Sequence, residues 1–352
     1  MAEKSENYFI DFLRFVFSLC ILCYHSWLFS GEYGSGILNF GFLAVDFYFI
    51  VTGYLMINSL QKTKSIKAPI LSKSFEFVFK KINRLIPALI VTFIVGLVFV
   101  YGRSVFLDYR LLLSNKIFPE LFQLSILEFE ISINGSWWYI SAMIIVIAIL
   151  CPFALKYDKY FSYYIAPLIV LFGLGIVNHF KININDPAGT TFFLRNGFYK
   201  ALIFIPLGNI AYALTEVIGK TSFSKFKRIL LTILEFAIYT VLLLNMQYYF
   251  IETFLSAILL MFNISLTFSN ITYTKNLFRH SICKKLGNYG LYIFLCNVSI
   301  RTYMLRNYMA LNMSYKQLLL RFFVISCVVA LFLYLIVEVI YKRLKDFMKR
   351  KF

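Results

Sequence analysis

Charge is what this sequence has least of. Only 15% of its 352 residues are Asp, Glu, Lys or Arg, against 60% hydrophobic residues. Water-soluble domains of this size do not carry that balance, so a soluble enzyme or binding module is excluded and a polytopic membrane protein is expected. Acidic residues are scarcer still: 17 Asp and Glu stand against 35 Lys and Arg, a formal net charge of +18. That excess would suit nucleic acid, but the cations lie between apolar runs, where they set membrane topology, and no soluble fold surrounds them. No nucleic-acid partner is expected. A disulfide framework is also missing. Cys20, Cys23, Cys151, Cys296 and Cys327 sit inside apolar runs, and Cys283 falls in a basic segment placed in the cytoplasm. Cys20 and Cys23 lie one turn apart in an apolar stretch, which reads as packing rather than redox chemistry. The first apolar run has no small-residue cleavage site, so it is expected to be retained as a span. No internal repeat, low-complexity linker or metal site is evident.

What the chain has instead is long apolar runs. Ten spans are expected, at about Tyr8–Phe29, Ile37–Leu60, Leu85–Tyr101, Trp137–Leu155, Tyr163–Phe180, Gly197–Leu214, Ile229–Met246, Tyr248–Phe268, Leu286–Met304 and Leu318–Tyr341. Such lengths suit a hydrocarbon core of about 30 Å. Lys and Arg concentrate after spans 2, 4, 6 and 8 and in the tails, which places both termini in the cytoplasm. The fold class is therefore all-α, a transmembrane helical bundle of about ten spans. It is expected to be one domain over residues 1–352 with no appended soluble domain. The segment 102–136 would lie outside, its stretch IFPELFQLSILEF lying on the surface or re-entering the bilayer.

Few polar residues interrupt these runs, and those few carry the functional argument. Span 1 holds Asp11, Arg14 and His25. Arg14 and His25 have ten residues between them, three helical turns, so they share a face roughly 16 Å apart along the axis. Ionisable groups within a bilayer are expensive and usually mark a functional pathway. The bland alternatives are an Asp11–Arg14 ion pair near the surface and an interfacial His25. Asp46 in span 2 needs a partner or a raised pKa. Arg14 is nearest in depth, and His25 is the functional alternative. Lys80, Lys81 and Arg84 cluster at the inner end of span 3, where on their own they read first as a topology anchor. Pro87 just inside that span suits a helix start. The run NGSWWYIS opens span 4 at the outer face. Its Trp137 and Trp138 are belt residues first, and could also stack on a sugar ring.

In their order these segments resemble the acyltransferase 3 family of membrane acyltransferases. Arg14 and His25 with ten residues between them resemble the family's first-span signature. GFLAVDFYFIVTGYLM is similar to its second span, G-x-x-G-V-D-x-F-F-x-x-S-G-F-L, with Thr52 where Ser is usual. KKINRLIPAL resembles its R-R-x-x-R-x-x-P segment, SWWYISAM its fourth span and FIPLGNI its sixth. LGNYGLYIFLCNVSI resembles the late L-G-x-x-S-L-x-I-Y-L-x-H motif, but Asn297 stands where His is usual and Phe294 where Tyr is usual.

The resemblance implies transfer of an acyl group, usually acetyl, from cytoplasmic acetyl-CoA to a hydroxyl of a carbohydrate bound for the cell surface, by a multi-pass protein of the bacterial cytoplasmic membrane. Acetyl-CoA would be a substrate, with no separate cofactor. Arg14, Lys80, Lys81 and Arg84 would meet the CoA phosphates, although Lys lacks the bidentate geometry of Arg. His25 would act as general base or transient acyl acceptor, with Asp46 fixing its tautomer. Ser136, Trp137, Trp138 and Arg195 would line the acceptor side, with Asn297 as a substrate contact. Partners expected are acetyl-CoA, a carbohydrate acceptor and the lipid bilayer. A separate extracytoplasmic protein is a further candidate, because many relatives carry an extra hydrolase-like domain. A transporter of acyl groups or glycans is the competing reading. An export-complex assembly subunit is a third.

Overall fold

The computed structural model describes residues 7–31, 36–63, 68–102, 135–308 and 313–343. The surface or re-entrant segment expected around 117–129 and the two tails lie outside them. The described chain is a bundle of long helices. These are α1 (Tyr8–Tyr24, continued by a 3-10 turn His25–Phe29), α2 (Ala44–Lys62), α3 (Ile70–Tyr101), α4 (Trp138–Tyr157) and α5 (Ala166–His179), followed by α6 (Asn196–Ile218), α7 (Lys225–Tyr248) and α8 (Thr253–Phe268). A short α9 (Thr274–Leu277) precedes α10 (Ile282–Tyr308) and α11 (Tyr315–Tyr334). A two-residue ladder, β1 (Thr190–Thr191) with β2 (Leu194–Arg195), pins the loop before α6.

Eight of the described helical segments are long and apolar enough to cross a membrane. Helices α8 and α10 fall on the eighth and ninth expected spans. The first is 16 residues long. The second carries Lys284, Lys285, Arg301 and Arg306, which lower its apolarity. Large apolar side chains such as Leu171, Phe172, Ile233, Val328 and Phe332 are exposed on the outer helices. In water such a belt would be a liability, whereas in lipid it is the ordinary outer surface of a bundle. This is a multi-pass membrane protein.

Two close helix pairs organise the interior. At α2–α6 the backbones meet at Gly53 and Gly208: a Cβ on either would run into a carbonyl oxygen, of Ile205 or Ile50 respectively. At α1–α10, Gly287 and Gly290 lie against the backbone of Asp11, Arg14 and Phe15. Small residues substitute for the missing hydrophobic drive between helices in lipid by letting backbones approach.

Two local expectations change. The helix that carries the third span begins at Ile70, ahead of the expected start at Leu85, so the basic segment is helical and Pro87 lies inside α3 rather than at its start. Leu71, Phe75 and Phe79, four residues apart and all exposed, alternate with Lys73, Glu76 and Lys80 around this extension. That is the pattern of a helix at a membrane surface, which apolarity alone does not register. Cys283 lies in the first turn of α10 rather than in a loop. All six cysteines are free.

Candidate active site at the end of the first helix

The α-helix of α1 stops at Tyr24, and His25 opens the tighter turn that follows. That turn is held by its own side chains. Ser26 Oγ donates to the Cys23 carbonyl at 2.6 Å and lies 2.9 Å from the Tyr315 hydroxyl. His25 itself is half-buried and lines a cavity of about 700 Å³. Its Nδ1 lies 2.5 Å from Asn297 Oδ1. The amide of Asn297 has no freedom to turn, because its Nδ2 donates to the carbonyls of Ile293 at 3.1 Å and Phe294 at 2.7 Å. Oδ1 is therefore the atom facing the ring, so Nδ1 carries the proton and, in the neutral ring, Nε2 keeps its lone pair. A neutral imidazole with its tautomer fixed in this way is prepared to accept a proton at Nε2.

Asn297 is fully buried and does not line the cavity. Its Oδ1 faces the histidine ring, the place in which the sequence put Asp46. That aspartate makes a fully buried ion pair with Lys200 on α6, at 2.8 Å, and pairs with neither His25 nor Arg14. The physical reason is that an ammonium on the facing helix is available to it, while Arg14 is already engaged. Arg14 Nη1 binds Asp11 Oδ1 at 3.0 Å, one turn back on α1.

The other expected residues divide. Ser136, Trp138 and Arg195 line the cavity with His25, joined by Trp27, Lys200 and Arg301. Trp137 does not. Its indole is buried beside Phe93 of α3, with ring centroids 6.0 Å apart. The loop before α6 forms one wall. Asn196 Nδ2 holds the Asn183 and Asp186 carbonyls, and Arg195 Nη1 donates to the Ala188 carbonyl at 2.6 Å.

Two turns and more back along α1, Arg14 lies within electrostatic reach of Lys81, and Lys81 within reach of Arg84. Lys80 belongs elsewhere: it is exposed and pairs with Glu76 one turn back on α3, at 2.5 Å. Between this basic end and the cavity lie three aromatic rings. Tyr48, Tyr139 and Phe294 have centroids 5.5 to 6.1 Å apart. Tyr48 donates its hydroxyl to the Arg14 carbonyl at 2.5 Å and touches Ser18 Oγ at 2.6 Å. Phe294 reaches the cavity wall.

Sequence reasoning missed Lys200 and Arg301. Both were detectable, because each is a lone cation within an otherwise apolar span, the same signal that singled out Arg14 and Asp46.

A family model described as an acyltransferase domain matches residues 7–339, and so takes in every residue of this site. No curated protein and no solved structure shows significant similarity to the chain. The arginine and histidine of the first helix, the aspartate of the second and the family match over nearly the whole length agree: this chain belongs to the acyltransferase 3 family of membrane acyltransferases.

Proposed function

We propose that the protein is an O-acetyltransferase, taking acetyl from cytoplasmic acetyl-CoA and placing it on a hydroxyl of a cell-surface polysaccharide or its lipid-linked precursor. The observation that carries this reading is the His25–Asn297 pair at the cavity wall, which leaves Nε2 as the available base. In the proposed reaction Nε2 removes the proton of the acceptor hydroxyl as its oxygen attacks the thioester carbonyl. The carbon–sulfur bond then breaks, and the CoA thiolate leaves with the proton held by the imidazolium. Arg14, Lys81 and Arg84 meet the donor's phosphates at the basic end, which faces the cytoplasm by the distribution of Lys and Arg. Trp27 and Trp138 offer aromatic faces to a sugar in the cavity.

The test is transfer of label from radioactive acetyl-CoA to glycan by membranes containing the wild type or His25→Ala, Arg14→Ala or Asn297→Ala, at matched insertion. His25→Ala and Arg14→Ala are expected to abolish transfer. Asn297→Ala, which keeps the base but frees its ring, is expected to lower it by roughly 10- to 100-fold, a part of the usual acid–base contribution. Equal labelling by wild type and His25→Ala would remove the base, and flux measurements across the membrane would then test the transporter reading.

A further inference from the structure

Among the described residues, the cavity holds a cation, Arg301, that no carboxylate pairs with. Lys200 is matched by Asp46 at 2.8 Å, and Arg195 donates to the Ala188 carbonyl. Asp186 accepts the backbone N–H of Gly189. Arg301 lines the same cavity, yet among the described residues no carboxylate forms an ion pair with it, and its buried Nε has no hydrogen-bond partner. Among the described residues, Tyr24 and His25 are near enough to act on its charge, and neither is an anion in its ordinary state. A guanidinium partly withdrawn from water, with its Nε buried and no counter-charge, carries a cost that a ligand supplying the anion relieves.

Its position says which part of a ligand this would be. Arg301 follows Asn297 by four residues, so it lies about one turn, roughly 6 Å, along the same face of α10. Asn297 holds His25. The direction is away from the basic end that holds Arg14 and towards the loop that carries Asp186 and Arg195. The aromatic faces of Trp27 and Trp138 line the cavity with it.

We infer that Arg301 binds a carboxylate or phosphate on the acceptor, and that the acceptor is therefore an acidic glycan rather than a neutral one. The word acceptor rests on the acyltransferase reading above, whereas the anion site does not. Arg presents a planar fork of donors that matches either anion bidentately, so the two sources are separated by experiment.

The experiment is a binding titration of the full chain in lipid nanodiscs, read by intrinsic fluorescence. The three tryptophans of the chain are Trp27, Trp137 and Trp138, all at this end of the bundle. The probes are a glucuronate-containing oligosaccharide, its carboxyl-reduced counterpart, a glycerol-phosphate oligomer and CoA. Each is titrated into wild type, Arg301→Gln and Arg301→Lys. One of the two anionic oligomers should bind the wild type about 10- to 100-fold more tightly than the neutral sugar, the range of a charge-assisted contact. Arg301→Gln should reduce that oligomer to the neutral level, and Arg301→Lys should keep most of the preference. The anion that wins identifies the group. No preference for either anion in the wild type overturns the inference. So does an Arg301→Gln variant that loses charged and neutral sugars alike, or one whose only effect is on CoA. Because binding is read without catalysis, a protein that shows the preference but transfers no acetyl refutes the acyltransferase proposal and leaves the anion site standing.

Discussion

A carboxylate buried in a membrane bundle has to be answered, and Asp46 is answered by a residue 154 positions away in the chain. The sequence marked Asp46 as needing a partner, but pairing between α2 and α6 is a property of the packed bundle, and no spacing along the chain announces it. His25 is the opposite case. Its three-turn relation to Arg14 is local and periodic, and could be read directly, while the asparagine that fixes its tautomer arrives from α10. Breaking the Asp46–Lys200 pair leaves a charge without a counter-ion. Asp46→Leu and Lys200→Met are each expected to destabilise the protein by about 3–5 kcal/mol, and the double substitution to recover most of that loss. Thermal unfolding of the purified variants in one detergent measures the coupling. Additive losses would mean that the pair contributes no interaction of its own.

At the scale of elements, apolar runs place most helices well, and the failures have a common cause. The start of α3 was misplaced because its first four turns are amphipathic, and the third span was sought by apolarity alone. The helix crossings were only half legible. Gly53 is a small residue of the kind that allows close approach, but nothing along the chain pairs it with Gly208. A Cβ at Gly53 or Gly208 meets backbone, which cannot swing aside as a side chain can, whereas Gly175 in α5 has open space around it. Gly53→Ala and Gly208→Ala are therefore expected to cost about 1–3 kcal/mol each or more, with a lower melting temperature. Gly175→Ala should leave it unchanged or slightly raised, since alanine is the better helix former. If all three behave alike, the α2–α6 approach is not as close as the backbone places it.

For the whole molecule, the two ends of the bundle are chemically different, and the proposed reaction needs that difference. One end carries Arg14, Lys81, Arg84, Lys220 and Arg279. The other carries the cavity with His25, Arg195 and Arg301. The ring cluster of Tyr48, Tyr139 and Phe294 lies between them, so donor and acceptor would approach His25 from opposite faces of the membrane. The proposed reaction puts the first end on the cytoplasmic side, the side on which basic segments are usually retained. Lys220 and Lys181 are both exposed but belong to opposite ends of α6 and α5. In intact cells an impermeant maleimide should label Lys181→Cys readily and Lys220→Cys only after the membrane is opened. The native cysteines are buried or half-buried, which keeps the background low. The reverse pattern would put the cavity on the cytoplasmic side, where a surface glycan could not reach it. Donor and acceptor would then have to share one compartment, and the basic cluster would lose its role in meeting CoA.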